Sequence, residues 1–294
     1  MVHSLKDYLS VIVVLLIGAA IGIACSQGGL NYNGVPIIII CMFISFIVHW
    51  VAFIPSYLAR TEKYYDISGT LAYVCVLFTA YYLTKFVSGG VLNTRSILTI
   101  ILVSVWALRL GFFLFMRVLK AGEDRRFREV KQKFSGFLVW WTISALWVFL
   151  TTVNALVMII NNVEYHDDSY LCVGLILWIV GFSFEVIADE QKRRFRSQLS
   201  NKNYFISSGL WSISRHPNYF GEILLWIGMA VIAYPTLHGW QHISLISPVF
   251  IYFLLTRISG VNLLENHAAL KWGDDENYKK YKRNTPALIP LFKK

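Results

Sequence analysis

Two short stretches carry residues whose types and spacing could do chemistry. In FEVIADEQKRRFR (184–196), Glu185, Asp189, Arg193 and Arg196 follow one another at intervals of 4, 4 and 3 residues, which puts all four on one face of a helix. The pattern reads either as a ladder of ion pairs on a solvated helix end or as a polar face aimed at a ligand. Glu185 lies within an apolar segment, where an acidic side chain is costly unless it faces protein or a wet cavity. In GLWSISRHPNYFGEILLWIG (209–228), Pro217 fits the first turn of a helix, where its missing N–H costs nothing. Neither Arg215 nor His216 is a strong N-cap. The helix start therefore keeps spare N–H donors and a positive dipole end beside Arg215 and His216, a combination suited to a phosphate. One turn on, Asn218 and Glu222 share a face and offer the donors and acceptors that a carboxamide requires. Gly221 beside them either admits a flat ring or lets a neighbouring helix pack closely.

Further charges sit in apolar surroundings. Arg109 in WALRLGFFLFMR lies about 12 Å below Arg117 along a helix axis. Arg117 can extend to the interface, whereas Arg109 is deeper and needs a carboxylate or an anionic ligand. Arg257 is similarly placed, with Glu265 and His267 after it. His238 and His242 have helical spacing, but one such pair is too small a donor set for a metal enzyme. The four cysteines, Cys25, Cys41, Cys75 and Cys172, show no C-x-x-C spacing and read as small core residues, so no metal site and no disulfide framework is expected.

The elements that must position these groups are membrane helices. The chain of 294 residues is 56% hydrophobic and only 15% charged, with a mean hydropathy of +0.54, too apolar for charged surface to cover a soluble core. Eight segments are long and apolar enough to span a bilayer: 8–24, 35–54, 67–87, 97–118, 137–160, 171–188, 219–235 and 243–262. The first reads as a span, not a signal peptide, because no Ala-x-Ala-like site precedes GGLNYNG. Of the 27 Lys and Arg residues, 23 fall at the N-terminus, in the loops after the even-numbered spans or in the tail, and only Lys85 and Arg95 fall in the odd-numbered loops. That alternation predicts an even number of spans with both termini cytoplasmic. The net charge of +10 is accordingly a topology signal, with anionic lipid as a secondary beneficiary and no role for nucleic acid. The expected fold is all-α, a single polytopic membrane domain over 1–294. Its polar helix ends converge on the cytoplasmic side, where an anionic ligand is accessible.

At RHPNYFGE the chain resembles the DUF1295 group, relatives of the steroid 5-alpha-reductases and more distantly of sterol reductases and isoprenylcysteine carboxyl methyltransferases. The resemblance runs from about Asp66 to Pro290 through WALRLG (106–111), DRRF (124–127), FEVIADEQKRRFR, GLWSISRHPNYFGEILLWIG and WGDDENYKKYKRNTPALIP (272–290). It implies an NADPH-dependent reductase of an activated C=C bond in a hydrophobic lipid or steroid-like substrate. Asp189, Arg193 and Arg196 would contact the adenosine and phosphate portion, and Arg215, His216, Asn218, Tyr219 and Glu222 the pyrophosphate and nicotinamide side. Arg109 would be a further phosphate or ribose contact. The steroid enzymes use a Glu and a Tyr from their early helices. Here Asp66 in TEKYYDISGT is the nearest carboxylate, Trp106 stands where the Tyr would align, and Tyr64, Tyr65, Tyr73 and Tyr219 are the candidate proton donors. No G-x-G-x-x-G follows a strand, so the cofactor would sit among membrane helices and not in a Rossmann domain. A methyltransferase using S-adenosylmethionine is the alternative, although LLENH offers only Glu265 where those enzymes have an acidic pair. A lipid-binding protein without enzymatic activity is the third. The expected membrane is the endoplasmic reticulum in a eukaryote or the inner membrane in a bacterium.

Overall fold

The computed structural model describes residues 2–258 and 260–291. It is built from helices α1 (Val2–Cys25), α2 (Ile37–Leu58), α3 (Tyr65–Ser88), α4 (Thr94–Ala121), α5 (Phe134–Asn161), α6 (Ser169–Ser197), α7 (Pro217–Ala233), α8 (Ile246–Phe253), α9 (Val261–Trp272) and α10 (Glu276–Asn284). A small hairpin, β1 (Asn31–Tyr32) antiparallel to β2 (Val35–Pro36), joins the first two helices. Among the described residues, eight helical segments are long and apolar enough to cross a membrane, so this is a polytopic all-α membrane protein. The chain divides into two compact units, Met1–His166 with Ala233–Ser247, and Asp167–Ile232 with Pro248–Lys294.

The first unit is organised around α5. Its sequence is hydrophobic on every side, and 89% of its apolar stretch is buried, against 22% for α1 and 28% for α4. α5 is therefore the central helix, with α1, α2, α3 and α4 packed on it. Neutral polar groups tie it to α2. Ser45 Oγ donates to the Ala145 carbonyl at 2.8 Å, His49 Nε2 meets Ser144 Oγ at 3.1 Å, and Trp50 Nε1 donates to Thr142 Oγ1 at 3.1 Å. The segment before α5 folds back onto the unit. Buried Glu62 accepts the Asp124 N–H at 2.8 Å and the Lys131 ammonium at 2.7 Å, while Phe127 enters an aromatic cluster with Phe53, Tyr65, Phe137 and Trp141. In this structure the Asp124 and Phe127 positions of DRRF anchor that segment.

In the second unit, α6 and α7 touch backbone to backbone. A Cβ on Gly221 would lie 2.4 Å from the Gly181 carbonyl oxygen, and one on Gly228 would lie 2.6 Å from that of Gly174. Two glycine pairs one heptad apart thus form a small-residue seam between the helices. A flat ring has no room beside Gly221, because α6 fills the space.

The last span departs from the single helix expected over 243–262. A 3₁₀ segment (Gly239–Leu245) leads into α8, a π-turn (Leu254–Ile258) widens it, and α9 restarts after Gly260. A Cβ at Gly260 would fall 2.0 Å from the Leu255 carbonyl oxygen. The chain can pass this close to the π-turn only because no side chain is present.

Candidate functional site

The polar cluster of the second unit forms where α6 ends and α7 begins. Pro217 opens α7, as the sequence indicates. The stretch before it is held by the C-terminal segment. The Arg215 N–H donates to the Pro286 carbonyl at 2.9 Å, Ser214 Oγ to Leu288 at 2.7 Å, and the Leu291 N–H to Ile213 at 3.0 Å. Tyr281 Oη donates to the Trp211 carbonyl at 2.6 Å, and the Trp211 indole donates to Ala188 of α6 at 3.0 Å with Lys192 over its ring at 4.5 Å. WGDDENYKKYKRNTPALIP therefore works as a strap that fixes the approach of RHPNY to its helix. Asp275 caps α10 within this strap.

Glu265, from α9, is the centre of the cluster. Its Oε1 accepts from Arg215 Nε at 3.0 Å and lies 3.1 Å from His216 Nε2, and its Oε2 is 3.6 Å from Lys282 Nζ. Arg215 also gives Nη1 to the carbonyls of Lys282 and Thr285, at 2.8 Å each. In this structure Arg215 spends these donors on protein and clamps α7, α9 and α10 together. His216 is 5% exposed, stacks on the Tyr219 ring at 5.6 Å, and its Nδ1 is buried without a hydrogen-bond partner. Burial pushes the His216 imidazole below its ordinary pKa, as do Lys192 and Arg215, while the hydrogen bond to Glu265 works the other way.

The acidic face read from 184–196 is resolved into two groups. Glu185 and Asp189 are buried, as is Glu222 on α7, and Asp189 Oδ1 accepts from Asn218 Nδ2 across the seam at 3.1 Å. Arg193 is exposed and paired with Glu190, Nε at 2.6 Å and Nη2 at 2.7 Å, and Arg194 joins the same carboxylate at 2.6 Å. Arg196 is exposed. The structure thus brings together Asp189, Arg215, His216, Asn218, Tyr219 and Glu222 on or beside one helix start, with Arg193 and Arg196 further along α6. Sequence reasoning missed that Glu265 is the shared partner. The available signal was a lone carboxylate following an apolar run and leading into a basic tail.

Asp66 and Arg109 belong to the first unit. Asp66 lines a small cavity of about 40 Å³ with Tyr65, Gly69, Tyr73, Trp106 and Trp147 among its walls. Tyr73 and Trp106 meet edge to face at 5.2 Å. Tyr65 Oη is committed to the Trp140 carbonyl at 3.0 Å, and Tyr64 is exposed. The Trp147 indole N–H is buried without a hydrogen-bond partner among the described residues, a donor at the pocket wall that no motif singles out. Arg109 lies over the Phe113 ring at 5.3 Å, a cation–π contact.

The chain is 26% identical over 134 residues to the steroid 5-alpha-reductase DET2 of Arabidopsis thaliana, a match covering 44% of this chain and 45% of that protein. It is 29% identical over 76 residues to the probable O-methyltransferase ustE of Ustilaginoidea virens, covering 26% of this chain and 27% of that protein. The chain thus spans less than half the length of either relative. No solved structure gives a significant match. The family model described as a protein of unknown function, DUF1295, matches residues 52–285, which takes in the pocket around Asp66, the α6–α7 seam and Glu265, and the chain belongs to that family.

Proposed function

We propose that the protein is an NADPH-dependent reductase acting on an activated C=C bond of a hydrophobic, lipid- or steroid-like substrate. The observation that carries this reading is the buried cluster at the start of α7, where Asp189 meets Asn218 and Glu265 meets Arg215 and His216. The likeness to a steroid 5-alpha-reductase supports it. The residues fit a dinucleotide. The buried and unsatisfied Nδ1 of His216 calls for a polar ligand atom, and exposed arginines on α6 suit phosphates. Asp189, Arg193 and Arg196 hold the adenosine and phosphate portion. Arg215, His216, Asn218, Tyr219 and Glu222 hold the pyrophosphate and nicotinamide side. When bound, NADPH supplies the hydride. Arg109, on α4, is a further phosphate or ribose contact.

In the first unit, the cavity that Asp66 lines receives the reactive carbonyl of the substrate, which comes from the bilayer. A protonated Asp66 donates a hydrogen bond to a substrate carbonyl and stabilises the enolate charge that develops there. Tyr73, at the pocket wall, and Tyr219 are the further proton donors considered. In this reading the basic loops and both termini are cytoplasmic, where the cofactor is available. The test is NADPH titration of the purified, folded protein by intrinsic Trp fluorescence. Saturable quenching is expected, and its absence from protein that retains its helical spectrum would sink the proposal.

One observation favours a second reading, an S-adenosylmethionine-dependent methyltransferase. The probable O-methyltransferase matches a segment of this chain, and R-H-P-x-Y-x-G is shared with the isoprenylcysteine enzymes. Binding of S-adenosylmethionine more tightly than NADPH would reverse the order.

A further inference from the structure

A histidine beside an arginine at a helix start invites an anion-binding role, and the contacts of His216 oppose it. Glu265 Oε1 lies 3.1 Å from Nε2. Arg215 on the same oxygen and Lys282 near the other keep Glu265 a carboxylate, which can only accept. Nε2 must therefore carry the proton. In a neutral imidazole one nitrogen donates and the other accepts, so the proton on Nε2 leaves Nδ1 with a bare lone pair. That lone pair is buried and meets no donor among the described residues. The ring does not turn over cheaply. It lies flat on Tyr219, with 6° between the planes, and a half-turn about Cβ–Cγ would put a C–H in place of Nε2 and lose the contact with Glu265. A second proton on the ring would have to be held in a buried site beside Arg215 and near Lys192.

We infer that Glu265 is a positioning residue that fixes His216 as the Nε2–H tautomer, so that His216 Nδ1 serves as a buried acceptor for an N–H or O–H group of the ligand. The chemical class that fits is an amide or a sugar hydroxyl. A phosphate or carboxylate oxygen is excluded at this atom, because two lone pairs would face each other. Orientation of a ring through the hydrogen bond at its other nitrogen is familiar from metal-bound histidines, where a carboxylate plays the same part. The inference rests on the dinucleotide reading only for the identity of the ligand, since nicotinamide and ribose groups carry such donors.

Histidine-selective ¹⁵N NMR of the full chain in lipid nanodiscs reads the tautomer directly, with the His216 signals assigned by their loss in His216→Gln. The expected spectrum at pH 7.5 has Nε2 protonated and Nδ1 bare without any ligand present. A protonated Nδ1 would overturn the inference. Addition of NADPH should then move the Nδ1 resonance in the direction of an accepted hydrogen bond. An unmoved resonance, with NADPH binding proved by Trp fluorescence, would also overturn it. Absence of NADPH binding altogether counts against the dinucleotide reading, and the ligand-free tautomer still decides the role of Glu265. Glu265→Gln, which no longer dictates which nitrogen is protonated, should give a mixture of tautomers and weaken NADPH binding about 10-fold. A merely structural Glu265 would leave the tautomer unmixed. The substitutions His216→Gln and His216→Arg give opposite rank orders. An acceptor site keeps more affinity with Gln, whose amide oxygen accepts, whereas an anion site keeps more with Arg.

Discussion

The two units treat buried polarity in different ways. In the first, neutral groups on neighbouring helices satisfy one another, as in the pairs Ser45–Ala145, His49–Ser144 and Trp50–Thr142. Its buried ion pair, Glu62 with Lys131, lies in the connecting segments and holds a loop in place. In the second, carboxylates sit on the helices themselves, with Glu185, Asp189 and Glu222 buried and the partly exposed Glu265 shared by an arginine, a histidine and a lysine. Neutral pairs are enough to set helix register in an apolar medium. Charges at the same depth cost more and are retained where something must be bound or oriented. The contrast gives a packing role to the polarity of α2 and α5, and it is the polarity of α6 and α7 that the proposed function directs at a ligand.

The exception in the first unit is Asp66, and removing its carboxyl gives the largest effect expected. Asp66→Asn should lower kcat for reduction by about 1,000-fold, the scale of general acid catalysis, and leave the NADPH dissociation constant within a factor of two. If NADPH binding weakened and kcat held, the division of labour between the units would be reversed. Next comes Glu62→Ala, which leaves the Lys131 ammonium and the Asp124 N–H without their acceptor and should destabilise the protein by about 3 kcal/mol. The readout is the midpoint of denaturant-induced unfolding, with NADPH affinity retained by the fraction still folded. Gly221→Ala is smaller, about 2 kcal/mol, because a methyl group 2.4 Å from the Gly181 carbonyl oxygen forces the backbones of α6 and α7 apart. That seam carries the Asp189–Asn218 contact, so NADPH affinity should fall together with stability. An unchanged affinity would detach the seam from the binding site.

The spans were legible because apolar length is a local property. Seven of the segments read from hydropathy reappear as helices, most of them extended at their ends, although α2 starts two residues later than 35 and α7 ends two residues before 235. The exception is local too, since the break at Gly260 depends on a backbone approach to Leu255 that no hydropathy window records. At the site, Pro217 could be read as a helix start from its own chemistry. The partner of Arg215 and His216 could not, because Glu265 lies 50 and 49 residues away along the chain. Asp189 could be placed on one helical face with Arg193, yet Arg193 turned to the adjacent Glu190 while Asp189 met Asn218. Periodicity gives the face of a helix, and only packing decides which charge on that face is taken by which neighbour. Gly221 shows the same limit. Its missing side chain was evident, and whether a ring or a helix used the gap depended on α6.

The smallest effect isolates the histidine. His216 is held below the ordinary value of 6.5 chiefly by burial. Between its native pKa and 6.5, the unfolded chain binds a proton at this residue that the folded chain does not, so stability rises with pH across that interval and falls as the medium is acidified through it. One such group contributes a slope of at most about 1.4 kcal/mol per pH unit. The paired carboxylates of the loops respond elsewhere. Asp124 is held low by Arg126 against the opposing effect of its burial, and Glu276 is held low by Lys279. Both lose their stabilising contribution only as the pH falls through the acidic range below their ordinary values of 3.8 and 4.5. The comparison to make is wild type against His216→Gln, unfolded at pH 7.5 and at pH 5.5. The wild type should lose more stability on acidification than the variant, and the excess loss is the share of His216 after every other titrating group has cancelled. Equal losses would mean that His216 takes up its proton in the folded protein, and Nδ1 would then be a donor facing the ligand.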